Sequence, residues 1–221
     1  MSKGQYPVEN NTNNKHTKSK QRVADHGEVF TGEREVNAML DLVKQETERI
    51  ESRFLEPACG NGNFLAEILR RKLAVVKARY GKNAPDYERY AVIAVTSIYG
   101  VELLYDNTDE CRKRLFEIFN KEYTANCKKE ANDETREAVR YILSHNILCG
   151  DALTMKTAIG EPIIFAEWSA VNSNMLKRRD FRLDLMLVED NATQNEEQIS
   201  FPLLPIREFA PIHYRRVQEH G

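Results

Sequence analysis

The sequence lacks the marks of several common protein classes. No apolar run approaches the roughly 18 residues that a membrane span needs. Lys3 is followed by no apolar segment, so the amino-terminal stretch does not read as a secretory signal. The four cysteines, Cys59, Cys111, Cys127 and Cys149, form no C-x-x-C pair and no zinc spacing. They are expected to be reduced thiols of a cytoplasmic protein. The five histidines include neither H-x-E nor H-E-x-x-H, so no metal centre is expected. Acidic and basic residues nearly balance, at a net charge of -2. No global basic field therefore recommends the chain as a stand-alone nucleic-acid binder. No internal repeat is present.

What is present suits one sizeable domain, or one domain with arms, in 221 residues. Residues 1–22 are polar, with Asn10-Asn11-Thr12-Asn13-Asn14-Lys15 at their centre, and read as a disordered arm. Lys15, Lys18, Lys20 and Arg22 can touch phosphates there, or simply keep the arm solvated. Residues 23–190 carry the regular patterning of a domain. Residues 191–221 form a tail punctuated by Pro202, Pro205 and Pro211, which argue against a long regular element.

The domain is organised around Phe54-Leu55-Glu56-Pro57-Ala58-Cys59-Gly60-Asn61-Gly62-Asn63-Phe64-Leu65. A short apolar entry ends at an acid. Two glycines then permit a sharp turn and close approach of a ligand. The helix that follows, striped by Leu65, Ile68, Leu69, Leu73 and Val76, points its free N–H groups back at the turn. This pattern fits a ligand pocket at the carboxyl end of a strand; an ordinary strand–helix turn has the same glycines.

Upstream, Thr31 reads as a helix N-cap, with Val36, Met39, Leu40 and Val43 as one apolar stripe. The loop before that helix is placed to form a lid. Downstream, residues 86–96 read as a helix, with a strand over 90–95 as the alternative. Residues 98–103 read as a second strand, ending at Glu102. Asn107 or Thr108 is expected to cap the next helix, which buries Cys111, Leu115, Ile118 and Tyr123. A short helix over 134–143 follows. Residues 146–149 read as a third strand leading to Gly150-Asp151, and 161–168 as a fourth. Strands alternating with helices predict an α/β domain on a parallel sheet with helices on both faces.

Three acids thus follow three successive strands. In a parallel sheet those ends lie along one crevice. Glu102 is placed to accept the two hydroxyls of a ribose, Asp151 an exocyclic amine, and Glu56 a cationic group. An adenosyl ligand with an amino-acid tail meets all three demands. A dinucleotide meets fewer, because Phe64 and Leu65 stand where G-x-G-x-x-G needs its third glycine.

At these residues the sequence resembles a known family. Glu56-Pro57-Ala58-Cys59-Gly60-Asn61-Gly62-Asn63-Phe64-Leu65 resembles the S-adenosylmethionine motif of adenine-N6 DNA methyltransferases, usually D/E-P-A-C-G-x-G-x-F-L. Val29-Phe30-Thr31-Gly32 resembles the upstream Y/F-T-P motif, with Gly32 in place of the proline. Tyr99-Gly100-Val101-Glu102-Leu103 resembles the ribose-binding strand, and Cys149-Gly150-Asp151-Ala152-Leu153 the strand whose acid contacts adenine. The four matches run in family order over about residues 23–153. The resemblance implies a truncated Rossmann-like methyltransferase fold and S-adenosylmethionine as cofactor. It assigns the cofactor to Phe30, Thr31, Glu56, Pro57, Ala58, Cys59, Gly60, Gly62, Phe64, Glu102, Leu103, Asp151 and Ala152.

The family's catalytic D/N/S-P-P-Y/F/W has no counterpart, since no Pro-Pro occurs anywhere. At its expected place stand Glu167, able to accept a hydrogen bond, and Trp168, able to stack on a flipped base or to serve in packing. The resemblance therefore implies the cofactor-binding part of a restriction–modification DNA methyltransferase. A second chain would carry N-P-P-Y and the DNA surface. The alternative is a truncated or degenerate regulatory or assembly subunit. Lys177-Arg178-Arg179, with Arg182, is the one basic cluster, suited to a phosphate, an acidic partner or a solvated helix end.

Overall fold

The computed structural model describes residues 17–26, 29–172, 174–190 and 204–220. Most of the polar arm and the polar segment 191–203 lie outside the described residues. Three short strands, β1 (Phe54–Glu56), β2 (Ile98–Glu102) and β3 (Ile147–Cys149), form a parallel sheet in the order β1-β2-β3. The crossovers are helical. α4 (Asn63–Tyr80) and α5 (Ala84–Thr96) join β1 to β2, and α6 (Tyr105–Cys127) and α7 (Asp133–Asn146) join β2 to β3. Ahead of the sheet come α1 (Lys20–His26), α2 (Glu33–Leu42) and α3 (Lys44–Thr47).

Each helix forms for a legible reason. Leu65, Ile68, Leu69, Leu73 and Val76 are buried as one face of α4. Asn83 caps α5 by accepting from the Asp86 N–H, and Asn132 caps α7 through the Thr135 N–H. Residues 86–96 are helical, so the strand alternative fails. α6 begins earlier than expected, at Tyr105, with Leu104 at its cap. Asn107 and Thr108 are instead buried in its first turn. α2 likewise starts after Gly32 with no side-chain cap, so Thr31 does not cap it. Its stripe is only half used: Val36 and Leu40 are buried, whereas Met39 and Val43 are exposed.

The two faces of the sheet are covered differently. Ile98 and Ile147 face the helical layer, whose core includes Leu65, Leu69, Phe119 and Ile142. α4 sits so close to β2 that a Cβ on Gly100 would lie 2.9 Å from both Leu65 Cδ1 and Cys59 Sγ. Tyr99 and Val101, alternating to the other face, pack on Ile163, Phe165 and Leu183. Helices on both faces were expected; the second face is instead covered largely by the root of a hairpin.

That hairpin corrects the fourth strand. β4 (Ile164–Asn172) does not join the parallel sheet. It pairs antiparallel with β5 (Met175–Arg182), and β6 (Arg207–Glu208) and β7 (Ile212–His213) add to β5. The reason is local. Asn172 pairs antiparallel with Met175, and no crossover helix separates β3 from β4 among the described residues. A parallel neighbour usually needs a helical crossover, and residues 150–163 are instead turns and isolated bridges. Tyr99 Oη ties the two sheets by donating to the Ala166 carbonyl at 3.1 Å. α8 (Leu183–Asp190) follows β5.

Residues 214–220 return to the helical layer as a short 3₁₀ segment. Tyr214 and Val217 are buried. Glu88 of α5, itself buried, accepts from Tyr214 Oη and Arg215 Nε at 2.6 Å each and from Tyr123 Oη at 2.5 Å. Burial alone would raise the Glu88 carboxyl; Arg215, Tyr123 and Tyr214 outweigh it and hold it below the usual range.

Lys72 is a further buried charged residue. Its ammonium donates to the carbonyls of Arg49, Ile50 and Ser52 and to Ser97 Oγ, and so fastens the loop after α3 to α4. Burial pulls it down to about 7, with Glu46 opposing. Lys72→Met removes the donor shared by those carbonyls and is expected to destabilise the fold by about 2–4 kcal/mol in urea titration. The sign with pH follows from the lowered value. Between about 7 and the ordinary 10.5 the unfolded lysine keeps a proton that the folded one has released. Wild-type stability therefore gains over Lys72→Met as pH rises from 7 towards 10.5.

Candidate functional site

The carboxyl ends of β1, β2 and β3 open into a cleft of about 670 Å³. Its walls come from four separated stretches. Val29, Phe30 and Thr31 enter from the loop before α2, and residues 56–61 with Asn63 and Phe64 form the glycine turn and the start of α4. Glu102, Leu103, Leu104 and Asn107 follow β2, and Gly150 to Leu153 follow β3. Every residue expected to hold a cofactor lines this cleft except Gly62.

Gly62 works underneath. It adopts φ +86, and a Cβ there would lie 2.6 Å from Cys111 Sγ. Gly60 has φ +53, and its added Cβ would meet Phe30 Cε1 at 3.1 Å. The left-handed conformation at both positions strains any L side chain. The first glycine thus lets the Phe30 ring close on the turn, and the second lets the turn settle on α6. Cys59 is buried, and its N–H donates to the Val101 carbonyl. Hydrogen bonding to Cys111, then burial, pushes its thiol up, so it stays protonated and serves in packing.

Glu102 organises the site. Its Oε2 accepts the Gly60 N–H at 2.8 Å. Its Oε1 accepts the Leu104 N–H at 3.1 Å and Asn107 Nδ2 at 3.3 Å. One carboxylate thus joins the end of β2, the glycine turn and the start of α6. Glu56 accepts the Ala58 N–H at 3.2 Å. Asp151 accepts the Leu153 N–H at 2.8 Å, and that bond holds its carboxyl below the usual range. The Thr31 loop is fastened too. Asn63 Nδ2 donates to the Thr31 carbonyl at 2.8 Å, and Arg114 Nη1 holds Asn63 Oδ1 at 2.6 Å.

Glu167 and Trp168 sit elsewhere. Glu167 is buried under salt bridges from Arg53 and Arg179 and accepts from Ser169 Oγ at 2.7 Å. Trp168 is buried in the helical core, and its Nε1 donates to Asn146 Oδ1 at 2.9 Å. Neither lines the cleft. The basic cluster lies on β5, not at a helix end, and its cations are paired: Lys177 with Glu208, Arg178 with Asp180, Arg179 with Glu167 and Arg182 with Asp184. Among the described residues no group of His, Cys, Asp and Glu is arranged to hold a metal ion, and no helix is long and apolar enough to cross a membrane.

Sequence reasoning did not assign Val29, Asn61, Asn63, Leu104, Asn107, Gly150 and Leu153 to the wall. Val29, Asn61, Asn63, Gly150 and Leu153 stand within the quoted motifs, Leu104 follows one, and Asn107 was read only as a helix cap. No family model, curated protein or solved structure matches this chain.

Gly62→Ala places a methyl against Cys111 and forces an alanine into the left-handed region. It is expected to cost roughly 2–4 kcal/mol of stability, read by urea titration. Wild-type stability in that variant would remove the close packing of turn and α6 from the account.

Proposed function

We propose that this chain is the S-adenosylmethionine-binding part of a site-specific adenine-N6 DNA methyltransferase, completed by a second chain that carries the catalytic motif and the DNA surface. The observation that carries the reading is the convergence of four distant stretches, Phe30-Thr31, the glycine turn, Glu102-Leu103 and Asp151-Ala152, on one cleft. The residues suit the cofactor. Phe30, Phe64, Leu103 and Leu153 give apolar walls for a nucleoside, three carboxylates face its polar groups, and Gly60 leaves the space that a Cβ would take. The Rossmann-like assignment belongs to this proposal, supported by the parallel order β1-β2-β3 with helical crossovers.

When bound, S-adenosylmethionine supplies an activated methyl group. Transfer needs donor and acceptor held in line at near-attack distance, so this chain's part is positioning. Glu102 binds the ribose hydroxyls, Asp151 the adenine amine and Glu56 the ammonium of the amino-acid tail. Phe30 closes over the turn and excludes water. The buried, paired state of Glu167 and the core packing of Trp168 support an acceptor site on another chain. The same observation favours the second reading, a non-catalytic cofactor-binding regulatory or assembly subunit.

Calorimetry with S-adenosylmethionine and S-adenosylhomocysteine tests the reading. Saturable binding is expected with both, and absence of heat and of thermal shift with either ligand would overturn it. Glu102→Ala is expected to weaken binding by roughly 10- to 100-fold, the loss of a charged acceptor; unchanged affinity removes Glu102 from the ligand. The purified chain alone is expected to transfer no tritiated methyl to DNA. Transfer by the chain alone would place the acceptor site here, and transfer only on adding a partner that carries N-P-P-Y would separate the split enzyme from the regulatory subunit.

A further inference from the structure

The amino-terminal segment reaches the cleft's central carboxylate through a line of hydrogen bonds. Lys18 Nζ donates to Asn107 Oδ1 at 2.6 Å. Asn107 Nδ2 donates to Glu102 Oε1, and Glu102 Oε2 receives the Gly60 N–H. Lys18 is itself held by Glu110 at 2.6 Å and Asp106 at 3.4 Å. One helical turn on, Arg22 grips Asp106 through two N–H donors, at 2.7 and 3.1 Å. That grip, first, and Lys18 beside it draw the Asp106 carboxyl down to about 2. Lys18 and Arg22, two of the four cations that the sequence left to phosphate contact or to solvation, are thus spent on the first turns of α6.

The chemistry of the amide gives this line its direction. An asparagine amide can turn over, exchanging its donor and acceptor ends. An ammonium only donates, so Lys18 fixes Oδ1 towards itself and Nδ2 towards Glu102. Turned over, Asn107 would set its carbonyl oxygen against a carboxylate, a repulsive contact. Asn107 is buried, so water cannot readily replace the lost donor.

We propose that Lys18 and Asn107 are positioning residues for Glu102, with the segment from Lys18 through α1 acting as a strap that sets the ribose-binding carboxylate. This rests on the reading of Glu102 as the ribose acceptor.

Two measurements on the full chain test the proposal. The first needs no ligand. Amide exchange at Gly60 reports whether Glu102 is in place. Lys18→Met and Asn107→Asp are expected to speed it at least tenfold, and Lys18→Arg to restore it. Unchanged exchange in both variants overturns the proposal, whatever the chain binds. Lys18 is a surface residue, so its variants fold even where Asn107→Asp does not. The second measurement is affinity for S-adenosylhomocysteine and for its 2′-deoxy analogue. Lys18→Met is expected to weaken the first about tenfold and the second by less than twofold, because the analogue lacks a hydroxyl that Glu102 would hold. Equal losses for both would overturn action through Glu102. Faster exchange at Gly60 with no binding by the wild type would sustain the strap's hold on Glu102 and overturn the cofactor reading instead.

Discussion

The carboxylate of Glu102 is the point on which the rest of the cleft depends. Three N–H donors from three places in the chain meet on it: the glycine turn, the residue that opens α6, and a side chain inside that helix. A charged acceptor makes these bonds stronger than neutral ones. Because Glu102 is almost fully buried, an unmet bond there would carry a desolvation penalty. The crevice is thereby pre-shaped before any ligand arrives. Beneath it the glycines act by what they lack. Gly62 and Gly100 let Cys111 and Cys59 come within distances that a Cβ would forbid, so helix, turn and strand form one close-packed unit.

The molecule departs from a simple alternation of strands and helices after β3. There the chain makes a loop stitched by Asp151 and Lys156, then a long hairpin. The hairpin is bound to the parallel sheet through Tyr99, through the salt bridge from Arg53 to Glu167, and through Trp168 against the helical core. Residues that occupy the catalytic register in the resemblance are structural posts here. Their polar atoms are met inside the protein, by Arg53, Arg179 and Ser169 at Glu167 and by Asn146 at Trp168.

Much of this was legible in the residues. The glycine turn, the apolar stripe of α4 and the helix over 86–96 follow from local spacing, because α4 buries one continuous face and Asn83 with Pro85 starts α5. Most of the cleft wall was legible for another reason: in a parallel sheet the strand ends converge, so a motif after each strand is carried to the same place. The fourth strand was not. Residues 161–168 have the apolar character of a buried strand whichever neighbour they take, and the choice of neighbour goes with the pairing to β5 and with the lack of a helix between β3 and β4. Lys18 and Asn107 were equally hidden. Their pairing spans 89 positions, and nothing in local pattern joins a polar arm to the first turn of a distant helix.

The anchorage of residues 214–215 on Glu88 bears on how the protein is made. The partners lie 126 and 127 positions apart. During synthesis α5 can pack on α4 and α6 long before Arg215 leaves the ribosome. Until then Glu88 has Tyr123 and Asn132 as partners and no cation from this segment. A carboxylate with neutral donors alone resists burial, so Arg215 supplies the cation that settles Glu88 within the helical layer. Contacts of such sequence separation are the kind that slow folding.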